Sequence, residues 1–573
     1  MNKTKVAALL SLLLSGVVAA QDPFYTITEV ATASDRGSAN FGPWALSISG
    51  DGDSVSSIAV TSNWYSYFRM APSAMDLAHR FRYMTYCSSV LSSTTCDAYA
   101  DNSNTASQWF SDLSANTAQT YNIVAAGVAS GSITKTVSSE SEGIITRYSH
   151  DDSEIDSVGY VLLSDHKRKA VATIAGSSVD VTDGSDYAFA SAYDIIPVGS
   201  DYLVIGTAGN QKSTAYNYCY NGSDIDSYSA YCPGYTTQAG FWLVNASSGV
   251  ANKQLATSYY TAEDSDYPYT AGALGITKVG DEYIAVGYSA TWGYTLNSTT
   301  SRPKNLATFW NLGDGSLTAA PATGRIFSNN SDNPGTDSDY YYDNGWAVGI
   351  NENGYIIGNR SYRLKESRNY PTKMFVAKYN SGSVSIVSSE IISTEGVDSE
   401  GAAINNNNQV VGWTNERSTT TDTVIGSVPR LQEAFLYNIT TGNRYALNDL
   451  ICGSASSCSQ NGYYYYIEYA NDILDDGTIL ASARRFSSYD NWSTLSNGTN
   501  VVVKLKVSSS TAFASNGDVP SSYVISNQLP TFDYGASSGS SGGGSFGVFG
   551  LLAHSLQDTL AAVWQNDAML KFK

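Results

Sequence analysis

Ala347-Val-Gly-Ile350-Asn-Glu-Asn-Gly354-Tyr-Ile-Ile-Gly358 holds two apolar runs on either side of a polar turn that ends in glycine. Asn-Gly supplies the positive φ that a tight hairpin turn needs, and the flanking residues are strand formers. The stretch therefore reads as strand, tight turn, strand. Outward from it the same pattern recurs as Ala402-Ala-Ile404-Asn-Asn-Asn-Asn-Gln-Val410-Val-Gly412 and as Ala273-Leu-Gly-Ile276 with Val279-Gly280-Asp-Glu-Tyr-Ile284-Ala-Val-Gly287. Looser copies run from Ala192 to Gly206, Ala470 to Ser482 and Ala45 to Val60.

A second motif alternates with the first: Gly159-Tyr-Val-Leu-Leu163, Phe241-Trp-Leu-Val-Asn245, Ala307-Thr-Phe-Trp-Asn311, Met374-Phe-Val-Ala-Lys-Tyr379, Ala434-Phe-Leu-Tyr-Asn438 and Val501-Val-Val-Lys-Leu505. One unit thus holds about four strands, which is the content of a propeller blade. Copies starting at 192, 273, 347, 402 and 470 lie 55 to 81 residues apart, too irregular for a strict β-solenoid. The fold class expected is all-β, a β-propeller of six or seven blades. Tyr121-Asn-Ile-Val-Ala125 is the candidate for the extra blade. Residues 62–120 break the pattern: Met75 to Arg82 and Gln108 to Leu113 have helical spacing around Cys87 and Cys96, which predicts a small, disulfide-stapled helical insertion. Phe24 to Val30 is a β-rich run with no partner in this count, and Val501 to Val507 is a half-buried strand lacking one. The two are expected to pair and close the ring, because an open propeller leaves bare sheet edges.

Lys3 and Lys5 precede an apolar run from Val6 to Val18 and the small residues Ala19 and Ala20, which reads as a signal peptide over 1–20 cleaved after Ala20. The run is shorter than the roughly 20 residues a spanning helix needs. Six cysteines follow, all beyond residue 20, and their near-neighbour spacing predicts the disulfides Cys87–Cys96, Cys219–Cys232 and Cys452–Cys458 in an oxidising compartment. The propeller body is expected over 21–534. A Gly/Ser linker spans 535–545 and a tail 546–573.

Thirty-two Lys and Arg against 52 Asp and Glu give a net charge of −20, which argues against nucleic acid as partner. No His-Glu-x-x-His helix, phosphate loop or nucleotide fingerprint is present. Gly535-Ala-Ser-Ser-Gly539 matches a nucleophile-elbow string without the strand that should precede it. Of the four histidines, His79 lies on the insertion, His166 in a charged turn and His554 in the tail, leaving His150 in the body. No catalytic residue is assigned. Carboxylate clusters offer the hard, closely spaced oxygens that Ca2+ takes: Asp151, Asp152 and Glu154, and Asp337, Asp339 and Asp343. Calcium is the one cofactor these residues suggest. Asp51, Asp53, Asp475 and Asp476 form similar pairs, and the plain alternative for all of them is that Asp is an ordinary turn residue. Tyrosine-rich stretches at Tyr216 to Tyr220, Tyr340 to Tyr342 and Tyr463 to Tyr466 offer binding surface or, equally, half-exposed strand faces.

The Ala-x-x-Ile-Asn-x-x-Gly and Ala-Phe-Leu-Tyr signals at 347–358, 402–412 and 434–438 resemble the extracellular HAF repeat, and over its length the chain resembles an uncharacterised exported family of marine Gram-negative bacteria with no assigned function. Ser537 to Ser545 followed by Phe546 to Ala553 is similar to the start of a GlyGly-CTERM sorting signal. That resemblance implies processing near Gly542, Gly543 and Gly544 and delivery to the cell surface or medium. The chain then departs from the family pattern, since it ends at Lys573 without the long apolar helix and arginine cluster. The expected function is an exported binding protein for a glycan, peptide or partner protein. The alternative is a propeller hydrolase or lyase working through Asp/Glu pairs, which two carboxylates converging with an arginine in one pocket would favour.

Overall fold

In the computed structural model, residues 22–523 are described except for 40, 61–119, 127–133, 140–142, 151–155, 165–166, 183–186, 215, 218–233, 257–267, 293–302, 328–339, 365–371, 393–396, 416–431, 453–457, 494, 496 and 510. They form antiparallel blades of four strands, the last of them extended by the short strand Ser459–Gln460 against Tyr463–Tyr464. Blade 1 is Phe41–Ile48, Val55–Val60, Thr120–Ala126 and Thr134–Ser139. Blade 2 is Ile144–Tyr148, Ser157–Leu162, Arg168–Ile174 and Ser177–Asp180. Blade 3 is Phe189–Val198, Asp201–Lys212, Tyr235–Asn245 and Gly249–Ala256. Blade 4 is Ala271–Val279, Glu282–Trp292, Pro303–Asn311 and Ala322–Arg325. Blade 5 is Tyr340–Ile350, Tyr355–Leu364, Thr372–Asn380 and Ser383–Ser388. Blade 6 is Ser399–Ile404, Gln409–Asn415, Gln432–Asn438 and Arg444–Ala446. Blade 7 takes Tyr463–Ile473, Ile479–Phe486 and Thr499–Val507 from the end of the propeller and Tyr25–Thr32 from its start. Blades 2 and 3 share one hydrogen-bonded sheet only through the single parallel pair Phe189–Arg168.

The innermost strands touch in sequence from blade 1 to blade 7 and back to blade 1, so the described residues form a closed seven-bladed ring. Apolar side chains pack between adjacent blades: Leu203, Ile205 and Phe241 of blade 3 meet Ala273, Ala285 and Trp310 of blade 4, for example. Closure follows the expected pairing of the two ends. Tyr25 to Thr32 runs antiparallel to Val507 to Val501, and Phe24, Tyr25, Ile27 and Val30 are buried. Glu29 fastens the seam by accepting from Arg485 Nη1 (2.8 Å) and from the Tyr465 hydroxyl (2.6 Å).

Two sequence readings change. Tyr121 to Ala125 is the third strand of blade 1 and not a further blade. The additional blade is 144–180, where Gly159 to Leu162 lies on the second strand, whereas the other copies of that motif lie on third strands. Residues 61–119 lie outside the described residues, so the expected insertion does too, save that Thr120 begins a strand. Cys452 and Cys458 form a disulfide, and both are buried. Cys87, Cys96, Cys219 and Cys232 fall outside the described residues, as do Ala20, Gly542, Gly543 and Gly544.

Candidate functional site

Each innermost strand carries a β-bulge at the same place in the repeated motif. The extra residues are Leu46, Thr146, Tyr193, Leu274, Val348, Ala402 and Asn471, one per blade. A bulge bends its strand and re-aims the next side chain. The residue after the bulge is Ser47, Arg147, Asp194, Gly275, Gly349, Ala403 and Asp472 in blades 1 to 7. Five of these seven, Arg147 to Ala403, line one pocket together with Gly50, His150, Asn405 and Asp475. All seven blades contribute to that pocket, which places it on the propeller axis, at the end where the innermost strands enter their tight turns. Its volume is about 230 Å3.

The ring is polar on one side and bare on the other. Blades 7, 1, 2 and 3 present Asp472, Ser47, Arg147 and Asp194, while blades 4, 5 and 6 present Gly275, Gly349 and Ala403. The small residues let the backbones close up: a Cβ at Gly275 would lie 3.0 Å from Gly349 Cα and from the Val348 carbonyl oxygen. Gly50 is a second close approach, since a Cβ there would lie 2.4 Å from the His150 carbonyl oxygen.

Several post-bulge side chains brace the ring by the same device. Asp472 Oδ2 accepts the N–H of Ile48 in the next blade (3.1 Å), Ser47 Oγ accepts that of Tyr148 (3.1 Å), and Asp194 Oδ2 accepts that of Ile276 (3.0 Å). Ile48, Tyr148 and Ile276 occupy the same motif position, so the motif explains the spacing of the braces. Its Ile-Asn step has a related role. Asn351 Nδ2 donates to the carbonyl of Asn405 (2.9 Å), and Asn405 Nδ2 donates to that of Leu474 (2.9 Å), tying the turns of blades 5, 6 and 7 together. At the last position of the turn Gly354 has φ +78° and Asn408 has φ +60°, the left-handed conformation these residue types tolerate.

On the polar side, fully buried Asp472 anchors both Arg147 and His150. Its Oδ2 lies 3.0 Å from His150 Nε2 and its Oδ1 lies 3.8 Å from Arg147 Nη2. Oδ2 also accepts from Ser47 Oγ (2.9 Å), and Oδ1 accepts the N–H of Ile473 (3.1 Å). Burial works against this carboxylate, but the charges of His150 and Arg147 and the hydrogen bonds from His150 and Ile48 outweigh it and hold the group well below the usual carboxylate range. Asp194 differs. Arg147 Nε approaches its Oδ1 to 3.4 Å and Ile195 N–H donates to the same oxygen, yet burial prevails and pushes its carboxyl up.

Sequence reading named none of Ser47, Arg147, Asp194 and Asp472 as site residues, although a charged residue in an otherwise small, apolar motif column is a signal it could have used. Of the carboxylates it did name, Asp475 and Asp476 line the pocket, whereas Asp51 and Asp53 do not. Asp151, Asp152, Glu154, Asp337 and Asp339 lie outside the described residues, and of Asp343 only the backbone, in an innermost strand of blade 5, is described. Asp51 accepts the N–H of Asp53 and Asp476 that of Thr478, as turn residues do, whereas Asp475 accepts the N–H of Asn406 and so joins the turns of blades 7 and 6. Among the described residues no group of three or more His, Cys, Asp and Glu could hold a metal ion. Tyr465 and Tyr466 are buried, Tyr463 is exposed beneath Arg485 (4.5 Å), and Tyr216 packs edge-on to Tyr235.

Similar solved structures include the β-propeller domain of the Trilobed protease from Pyrococcus furiosus, at 7% identity over 81% of this chain and 94% of that one (TM-score 0.35). A puromycin-hydrolysing peptidase of Mycobacterium tuberculosis is similar at 8% identity over 82% of this chain and 55% of that one (TM-score 0.35). Levansucrase of Bacillus subtilis follows at 9% identity over 47% and 78% (TM-score 0.24). No curated protein matches the chain. A family model does: it covers residues 189–527, from the first residue of blade 3 through the C-terminal strands of blade 7, and leaves Tyr25–Thr32, Ser47, Arg147 and His150 outside the match. The chain belongs to the family described as "Protein of unknown function (DUF3466)".

Proposed function

We propose that the protein is an exported binding protein whose axial pocket receives a small polar group of an extracellular glycan, peptide or protein. The observation that carries this reading is the one-sided post-bulge ring. Three bare positions leave space opposite Arg147, His150 and Asp194, which the fold holds in fixed orientation. The pocket is smaller than the roughly 300–1,000 Å3 of sites for drug-sized ligands, which suits a terminal group better than a long chain. Export is supported by the leader-like residues 1–20 and by the pairwise cysteine spacing, surface delivery by the GlyGly-CTERM resemblance. On this reading membrane contact is transient and confined to the tail, and the net charge of −20 supports partners other than nucleic acid.

A second reading, a glycan hydrolase or lyase, draws on Asp194 and Asp472 flanking Arg147 with their carboxyls pushed in opposite directions. Binding is preferred because Asp472 is fully buried and its oxygens are committed to Ser47, Ile48, Ile473 and His150, which leaves it no access to a substrate. The test is a glycan and peptide array probed with residues 21–535, with and without Ca2+, in wild-type form and as Arg147→Met. Ligands held by the wild type and lost by a folded Arg147→Met protein support the reading. Undiminished capture by the variant contradicts it.

A further inference from the structure

We propose that the Cys452–Cys458 disulfide is a redox-sensitive lock on the closure of the ring, acting on the N-terminal strand through the side chain of Gln460. Tyr25–Thr32 is the outermost strand of blade 7 and pairs along one edge with Thr499–Val507. The Phe24 carbonyl accepts the N–H of Ser508 on that side, so the backbone groups of Tyr25 and Ile27, one and three residues on, point to the opposite edge, where no strand follows. Gln460 covers this edge. Its Oε1 accepts the Ile27 N–H (2.9 Å) and its Nε2 donates to the Tyr25 carbonyl (3.0 Å), so the primary amide imitates a peptide group of a neighbouring strand. Asn461 Nδ2 adds a bond to the Ile27 carbonyl (2.9 Å).

The disulfide joins the two feet of this clasp. Gln460 Nε2 also donates to the carbonyl of Ile451 (2.8 Å), the residue before Cys452, while Cys458 stands two residues before Gln460. The Ile451 side is anchored in blade 7: its N–H donates to the Leu447 carbonyl (3.1 Å), and Asn448 exchanges two bonds with Ile467 of the innermost strand (3.1 and 2.7 Å). Both cysteines pack in the same buried cluster as Phe24, Tyr25 and Ile27. A dithiol opens the bridge by exchange. Its thiolate attacks one sulfur and breaks the S–S bond, and its second thiolate then displaces the mixed disulfide, so the reductant leaves oxidised and both cysteines take up a proton as thiols. Cys458 and Gln460 are then no longer tied to the Ile451 side, and the edge at Tyr25 and Ile27 loses its cover. The N-terminal strand is therefore locked in oxidising surroundings and releasable in reducing ones.

Hydrogen–deuterium exchange at residues 25–29 of the mature full chain compares the wild type, Cys452→Ser with Cys458→Ser, Gln460→Met, which keeps the side-chain length and loses the amide, and all three changes together. Exchange in this stretch is expected to rise about tenfold in the disulfide-free chain and in Gln460→Met, the size of losing one hydrogen bond. The combined variant is expected to exchange no faster than Gln460→Met alone, because both changes break one path. Dithiothreitol should reproduce the rise in the wild type and add nothing at 25–29 to the disulfide-free chain, which separates this bridge from the other four cysteines. If the serine variant fails to fold, dithiothreitol on the folded wild type and on Gln460→Met makes the same comparison. Unchanged exchange at 25–29 with loosening confined to 447–460 would make the bridge a local staple and overturn the proposal. Acceleration in the combined variant equal to the product of the separate effects would overturn it as well.

Discussion

Removing the first strand should open the ring. A chain starting at Ala31 loses Phe24, Tyr25, Ile27 and Val30, all buried, together with the ladder to Val503, Lys504, Leu505, Lys506 and Val507. Burial of four large side chains at about 1.5–3 kcal/mol each corresponds to roughly 6–12 kcal/mol. That is comparable to the ~5–15 kcal/mol total stability of a typical domain. The loss also bares the edge of Thr499–Val507, whose Val501, Val502, Val503 and Leu505 are strand formers suited to pairing with another chain. Thermal unfolding followed by circular dichroism, with size-exclusion chromatography of the same samples, reads both effects: loss of a cooperative transition and aggregation. Ile27→Ala is the graded version and should cost about 2–5 kcal/mol. Ile386→Ala is the control, because Ile386 is 40% exposed on an outer strand, and should change stability by less than about 0.5 kcal/mol. A truncated protein that stays monomeric with an unchanged melt would refute the closure.

Replacing both Cys452 and Cys458 by serine should cost about 2 kcal/mol, since the bridge closes a short loop, and reductant should lower the wild-type melting temperature correspondingly. Asp472 stabilises the fold through a carboxyl held below its unfolded value of 3.8, so its contribution is complete above that pH and is lost as acid titrates the folded group. Denaturant titrations from pH 7 to pH 2 should show this loss, and Asp472→Asn should lower stability at pH 7 by about 3–5 kcal/mol while flattening the acid limb. Asn405→Ala removes the tie to Leu474 and the cap on Gln409 and should cost about 1–3 kcal/mol in the same assay. Peptide mapping without reductant should recover Cys87 with Cys96 and Cys219 with Cys232, and long-range pairs would contradict the local pattern.

The hairpin motif was legible in six blades because its alternation and its turn chemistry are imposed by the ring. The Ile buries between blades, the Asn ties successive turns, and the glycine or Asn408 takes the left-handed position. Blade 2 escaped because its copy, Ile145-Thr-Arg-Tyr148, replaces the motif's small residue and Ile with Arg147 and Tyr148. The same substitution that hides the blade supplies the pocket's guanidinium. Closure was legible from two unpaired strand patterns at opposite ends of the chain. The site was not, since its members come from positions 47, 147, 150, 194 and 472 and meet only because a bulge repeated around the ring turns that column toward the axis. Carboxylate clusters close in sequence drew attention instead; of those described, Asp51 and Asp53 belong to a turn and Asp475 and Asp476 to the pocket rim.

Hydrogen–deuterium exchange of the mature chain with a ligand selected from the array tests the pocket reading most directly. The axial account predicts that the ligand slows exchange at the turns around residues 49–54, 149–150, 405–409 and 474–478, which surround the pocket, and that Arg147→Met removes this protection. Protection confined to the tyrosine-rich stretches 216–220 or 463–466, with no change around the axis, would contradict it.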